Sequence, residues 1–192
     1  MTGAGVFELL STLARRPATT GVFGLWAVAE AIVLPIVPDV GLCLLVLAAP
    51  RQVLRLLAAV VFGAVIGTLM LAILIDRAPD TTRTLLRSLP GIDGAVIADA
   101  EGQLSREGVA GFAQVGIGPP LKVYTSAWLG QGGGVPGIVA GAILNRVTRI
   151  GATVVVAALA GAWLGAGLRR HAWVTLSAYA LFWIAVYVSI WT

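Results

Sequence analysis

Long apolar stretches alternate along the chain with short polar ones, and two of the apolar stretches are broken by prolines. The first, residues 21–50, reads GVFGLWAVAEAIVLPIVPDVGLCLLVLAAP and is apolar enough for a bilayer. It nevertheless carries Pro35 and Pro38, with Glu30 and Asp39 on either side of them. Two prolines three positions apart remove two backbone donors and clash with the preceding turn, so one straight helix through hydrocarbon is disfavoured. Two half-helices over 22–34 and 40–49 would each be only about 15–20 Å long, against a hydrocarbon core of about 30 Å. The pattern therefore predicts a re-entrant hairpin that enters the membrane, turns at 34–38 and leaves on the side it came from.

Ahead of it, residues 4–16 place Val6, Leu9, Leu10 and Leu13 on one helical face, a short interfacial helix that ends at Pro17. After it, residues 52–75 form a continuous apolar helix long enough to span, with Gly63 and Gly67 four apart for close helix packing. Residues 76–108 hold ten of the chain's 22 charged residues together with Pro79 and Pro90. They read as an extramembrane connection with two short amphipathic helices.

Then the first pattern recurs. Residues 109–118 are short and apolar, Pro119 and Pro120 break them, 121–130 form a second short segment, and Gln131 with three glycines is a link. A long apolar helix follows over 135–166, interrupted by Asn145, Arg146 and Arg149, and 172–192 is a last span rich in Trp and Tyr. The expected fold is thus an all-α integral membrane protein with one membrane domain. It is an inverted repeat (20–75 and 109–168, joined by 76–108) of two re-entrant helical hairpins, each followed by a transmembrane helix, plus a C-terminal transmembrane helix over 172–192. One spanning helix between the hairpins makes them open to opposite sides, with their proline breaks meeting near the midplane.

Composition agrees: 58% of residues are hydrophobic and 11% charged, with a mean hydropathy of +0.94. No cleavable signal peptide is expected from the N-terminal pattern. A single cysteine, Cys43, excludes an internal disulfide and a cysteine-based metal cluster. The net charge of +4 is not arranged as a basic stripe interleaved with aromatics, so nucleic acid is not an expected partner. Arg15, Arg16, Arg51, Arg55, Arg169 and Arg170 fall on one side of the membrane, and Arg77, Arg83, Arg87 and Arg106 on the other. The first side is expected to be cytoplasmic in a bacterial-type plasma membrane, which puts the N-terminus inside and the C-terminus outside.

That sorting leaves Glu30, Asp39, Lys122, Arg146 and Arg149 within the membrane, where ionisable groups are costly and mark function. Arg146 and Arg149 share a helical face, which suits either two carboxylate partners or one phosphate held by both. The bland readings are structural ion pairs between the repeats and, for Lys122 and the arginines, snorkelling to an interface. Asn145 is expected to hydrogen-bond within the bundle and His171 to lie in a loop.

The run from Glu30 through Pro35, Pro38 and Asp39, with LAAPRQVLRLLAAVVFGAVIGTLM after it, resembles the first signature region of the DedA family (SNARE-associated or VTT-domain proteins), particularly its YqaA-like branch. GIGPPLKVYTSAWLG followed by ILNRVTRIGATVVVAALAGAWLG resembles the second. The resemblance covers roughly residues 20–168. It implies a flippase or scramblase that moves polyprenyl-phosphate carriers or phospholipid head groups across the bilayer, drawing on the proton motive force. Glu30 and Asp39 then serve transport and proton coupling; Glu30, within the first half-helix, is expected to be the proton carrier, and Asp39, beside the free N–H groups that start the second, the carboxylate that stays charged. Arg146, Arg149 and Lys122 serve as head-group or charge partners. The partners are then an anionic phosphate lipid and protons, with a homo-oligomer compatible and no cofactor or metal called for. A proton- or sodium-coupled antiporter for small cations or drugs, and a non-transporting scaffold, remain the alternatives. A membrane enzyme is the least expected, since no metal-ligand cluster or Ser/His/Asp set is present.

Overall fold

A computed structural model describes residues 3–113 and 118–191. The side chains of Arg169 and Trp191, which entered the charge and aromatic patterns above, lie outside the described residues, as does Thr192. Among the described residues the protein is entirely helical, and three helices are long and apolar enough to cross a membrane.

The helices are α1 (Gly3–Arg15), α2 (Pro17–Ile32), α3 (Asp39–Ala48), α4 (Val53–Arg77), α5 (Pro79–Arg87), α6 (Gly94–Glu107), α7 (Leu121–Gly130), α8 (Val135–Arg170) and α9 (Ala172–Trp191). Helix α4 has 25 residues, about 37 Å at 1.5 Å per residue, and α8 has 36, about 54 Å. The expected break between α2 and α3 is present: α2 closes where the Val33 and Leu34 N–H groups both donate to the Ala29 carbonyl, and α3 starts immediately after Pro38. The second half is less regular than the first. The stretch ahead of Pro119 begins with a 3-10 turn over Gly108–Phe112, not a half-helix, and the middle of that stretch, residues 114–117, lies outside the described residues. Glycines at both 108 and 111 disfavour a longer helix there.

The amphipathic face of α1 is rotated from the expected one. Phe7 and Ala14 are buried, Leu10 and Leu13 pack beside them, and Leu9 is exposed. The reason is that α1 packs against α3 and α9 along the Phe7–Ala14 side, leaving Leu9 outward. Arg55, counted above only as a cytoplasmic charge, donates to the Ala14 and Arg15 carbonyls and so caps the C-terminus of α1.

Helix α2 lies along α4, and α3 along α8. The α2–α4 crossing depends on two glycines. A Cβ on Gly67 would stand 2.6 Å from the Val28 carbonyl oxygen, and one on Gly63 would collide with the Gly24 carbonyl. Two buried clusters result. One is built from α1, α2, α3, α4 and α8, around Leu42, Val46, Leu56, Val60, Ile150 and Val154. The other centres on Phe112, Leu121, Tyr124 and Ala142, with Leu104 of α6 and Ala64 of α4. They meet along α4 and α8, and on α8 the residues between Ala142 and Ile150 are the ones that carry Asn145, Arg146 and Arg149.

Because the α2–α4 approach is backbone against backbone, Gly63→Val is expected to lower stability by about 1–3 kcal/mol. Thermal unfolding in mild detergent measures it, with Gly21→Val, where an added Cβ meets nothing, as the neutral reference.

Candidate functional site

The break at Pro35 and Pro38 leaves peptide groups without helical partners in apolar surroundings, and side chains from other elements supply them. Trp26 Nε1 donates to the Ile36 carbonyl at 2.9 Å. Lys122 Nζ donates to the Leu34 carbonyl at 2.7 Å. The Val37 N–H donates to Tyr187 Oη at 3.0 Å. Two residues beyond the break, Tyr179 Oη donates to the Val40 carbonyl. The turn is therefore held from α2, α7 and α9 together.

Around it the structure brings together all five intramembrane charges expected from the sequence. Glu30 (2% exposed), Asp39 (4%), Lys122 (2%) and Arg146 (0%) are buried, and Arg149 is half-buried. Lys122 sits in the first turn of α7, a ten-residue helix whose Leu121, Val123, Tyr124, Thr125 and Ala127 are buried too.

The two arginines, one turn apart on α8, do different things. Arg146 Nη2 donates to Glu30 Oε2 in a fully buried ion pair that joins α8 to α2 across 116 positions of sequence. Arg146 does not line the cavity described below; Arg149 does. Of the five charges, only Arg146 and Glu30 form an ion pair among the described residues. The carboxylates differ in the same way. Glu30, expected as the proton carrier, is the one engaged by Arg146, whereas Asp39 Oδ1 is buried without a hydrogen-bond partner. Asn145 behaves as expected, its Nδ2 donating to the Phe112 carbonyl at 3.0 Å. His171 forms the one-residue turn between α8 and α9.

Glu30, Asp39, Lys122 and Arg149 line a cavity of about 1090 Å³, and Pro35, Pro119 and Pro120 bring both proline breaks to its wall; Pro38 immediately precedes Asp39. Most of the rest of the wall is apolar, including Val156, Ala157 and Ala160 of α8, and Phe182, Trp183 and Val186 of α9. Helix α6 of the connection adds Ala95, Val96 and the exposed Asp99. With Glu30 neutralised from behind by Arg146, the charges left facing the cavity at the break are Lys122, Arg149 and Asp39. No group of His, Cys, Asp and Glu capable of holding a metal exists among the described residues.

Tyr179 and Tyr187, whose sequence pattern suggests membrane interfaces and helix contacts, hold the turn through their hydroxyls. The available signal was spacing: residues 179, 183 and 187 recur at i, i+4 and i+8 and so share one face of α9.

The buried pair gives a sharp expectation. Glu30→Gln or Arg146→Met alone strands a charge and is expected to cost about 3–5 kcal/mol, whereas the double variant restores most of the loss. A double-mutant cycle of unfolding in detergent measures the coupling.

Comparison with known proteins finds no matching family model, no similar curated protein and no similar solved structure.

Proposed function

We propose that the protein is a membrane lipid translocase that moves a phosphate-bearing lipid, such as a polyprenyl phosphate or a phospholipid, across the bilayer. The observation that carries this reading is the cavity, which has cations at one place and apolar wall over most of the rest. An anionic head group would sit against Arg149 and Lys122, and its chain along α8 and α9. A site for a small hydrated ion has no use for so large an apolar wall, whereas an amphiphile uses both parts.

In this reading the two proline-broken stretches are re-entrant hairpins of an inverted repeat, and the cavity between them is reached alternately from the two sides. The resemblance of 20–168 to DedA proteins supports the same arrangement, and the arginine count supports a cytoplasmic N-terminus. Arg149 is the head-group ligand, because its planar fork faces the cavity and Arg146 is spent on Glu30. Asp39, buried with its Oδ1 lacking a hydrogen-bond partner, is the group for proton coupling, and Glu30 holds α2 and α8 in register.

Asp39 also favours a second reading, a cation-coupled antiporter in which that carboxylate binds the ion. One set of variants separates the two. In proteoliposomes, Arg149→Lys is expected to slow head-group translocation roughly ten- to a hundredfold with unchanged expression and folding, the loss of a charge-assisted bidentate contact. Asp39→Asn is expected to flatten the dependence of translocation on pH. Wild-type-like translocation by Arg149→Lys, or cation exchange in vesicles without lipid movement, would favour the antiporter.

A further inference from the structure

Helix α9 is the least embedded of the three long apolar helices. Only 6% of its most apolar window is buried within the protein, against 39% for the window in α4. Leu181, Phe182, Ile184 and Val188 are exposed along it. A single residue, His171, separates it from α8, so it folds back along the bundle on a short hinge. Yet it supplies a large part of the cavity wall, through Tyr179, Phe182, Trp183, Val186 and Tyr187.

What ties its inner face to the α2–α3 turn is a pair of phenolic hydroxyls two turns apart. Tyr187 accepts from the Val37 N–H at 3.0 Å, and Tyr179 donates to the Val40 carbonyl. The two bonds straddle Asp39. Trp183, between them on the same stripe, makes ring contacts with both tyrosines. A wall that is weakly packed, hinged at one end and tied to the turn through Tyr179 and Tyr187 is one that opens as a unit, since packed elements switch between discrete arrangements.

We propose that α9 is the lateral gate of the cavity and that Tyr179 and Tyr187 are its latch, so that an amphiphile enters sideways from the bilayer between α9 and α3. The cavity's apolar wall is then continuous with lipid when the gate is open. The same movement frees the turn that carries Asp39, so that opening and exposure of this buried carboxylate occur together. Tyr179 and Tyr187 are positioning residues: they act on the turn and on α9.

The chain contains its own reporter. Cys43, the single cysteine, is buried on α3, lines this cavity and belongs to the cluster against which Tyr179 packs. The test is the rate at which N-ethylmaleimide labels Cys43 in protein reconstituted in phosphatidylcholine nanodiscs, so the readout is opening and not transport; it stands or falls apart from the lipid-translocase reading. Tyr179→Phe and Tyr187→Phe each delete one oxygen and keep the ring, so packing is preserved. The double variant is expected to label roughly tenfold faster than wild type, as the loss of two neutral hydrogen bonds allows, and each single variant to fall between. Thr175→Ala removes a hydroxyl of α9 that bonds only within the α8–α9 turn and is expected to label at the wild-type rate. Double-variant labelling at the wild-type rate would overturn the proposal. So would an equal rise in Thr175→Ala, which would make the acceleration a general loosening of α9. Because labelling of an unfolded fraction is biphasic, the rate is taken from the phase shared by protein whose melting curve overlays wild type.

Discussion

A backbone broken inside an apolar environment must have its freed peptide groups satisfied, and that constraint organises this molecule. Pro35 and Pro38 end α2 early and delay α3, which leaves the Leu34 and Ile36 carbonyls and the Val37 N–H without helical partners. Each is met by a side chain, from Lys122, Trp26 and Tyr187 respectively. Those three residues come from α7, α2 and α9, so the break fixes where three separate helices stand. The turn then presents Asp39 to the cavity, and α7 must lie deep enough to bring a lysine to a carbonyl.

The charges divide the labour in a way that follows from desolvation. A buried carboxylate is tolerable when a guanidinium neutralises it directly, and Glu30 with Arg146 forms such a pair between α2 and α8. The pair stands between the two apolar clusters, where α8 passes from one to the other. One turn along, Arg149 is only half-buried and faces open space. Burial thus separates a cation paired in the core from one on the cavity wall, although the two residues differ by only three positions. The cavity between α3, α7, α8 and α9 inherits both features: charge where the break is, and hydrocarbon-like wall elsewhere.

Much of the helical layout was legible in the sequence because the signals were local. Proline positions placed the gap between α2 and α3, apolar run lengths gave α4, α8 and α9, and the polar composition of 76–108 gave two short helices. The glycine pair at 63 and 67 announced a close crossing, and α2 is the partner. The departures have local causes as well. Glycines 108 and 111 gave a 3-10 turn where an apolar segment had suggested half a helix, and α1 turned its Phe7 side inward to meet α3 and α9. At the site, which charged residues come together could be read from one dimension, but who pairs with whom could not. Glu30 meets Arg146 from 116 positions away, and nothing in the local pattern distinguishes that pairing from one with Arg149 or Lys122. The roles of Tyr179 and Tyr187 were hidden for the same reason, since an aromatic near a membrane surface and one bonded to a distant turn have the same sequence signature.

The central claim is that the cavity accommodates an anionic amphiphile with its chain along α8 and α9. Photocrosslinking tests it most directly, using a phosphate-bearing lipid with a diazirine in its tail, reconstituted with the wild-type protein and mapped by peptide mass spectrometry. The prediction is that adducts concentrate on residues 156–160 and 182–186, whose side chains include cavity-lining Val156, Ala160, Phe182 and Val186, and are competed by unlabelled lipid phosphate. Adducts confined to the outward Leu25, Phe62 and Trp163, and insensitive to competition, would contradict it.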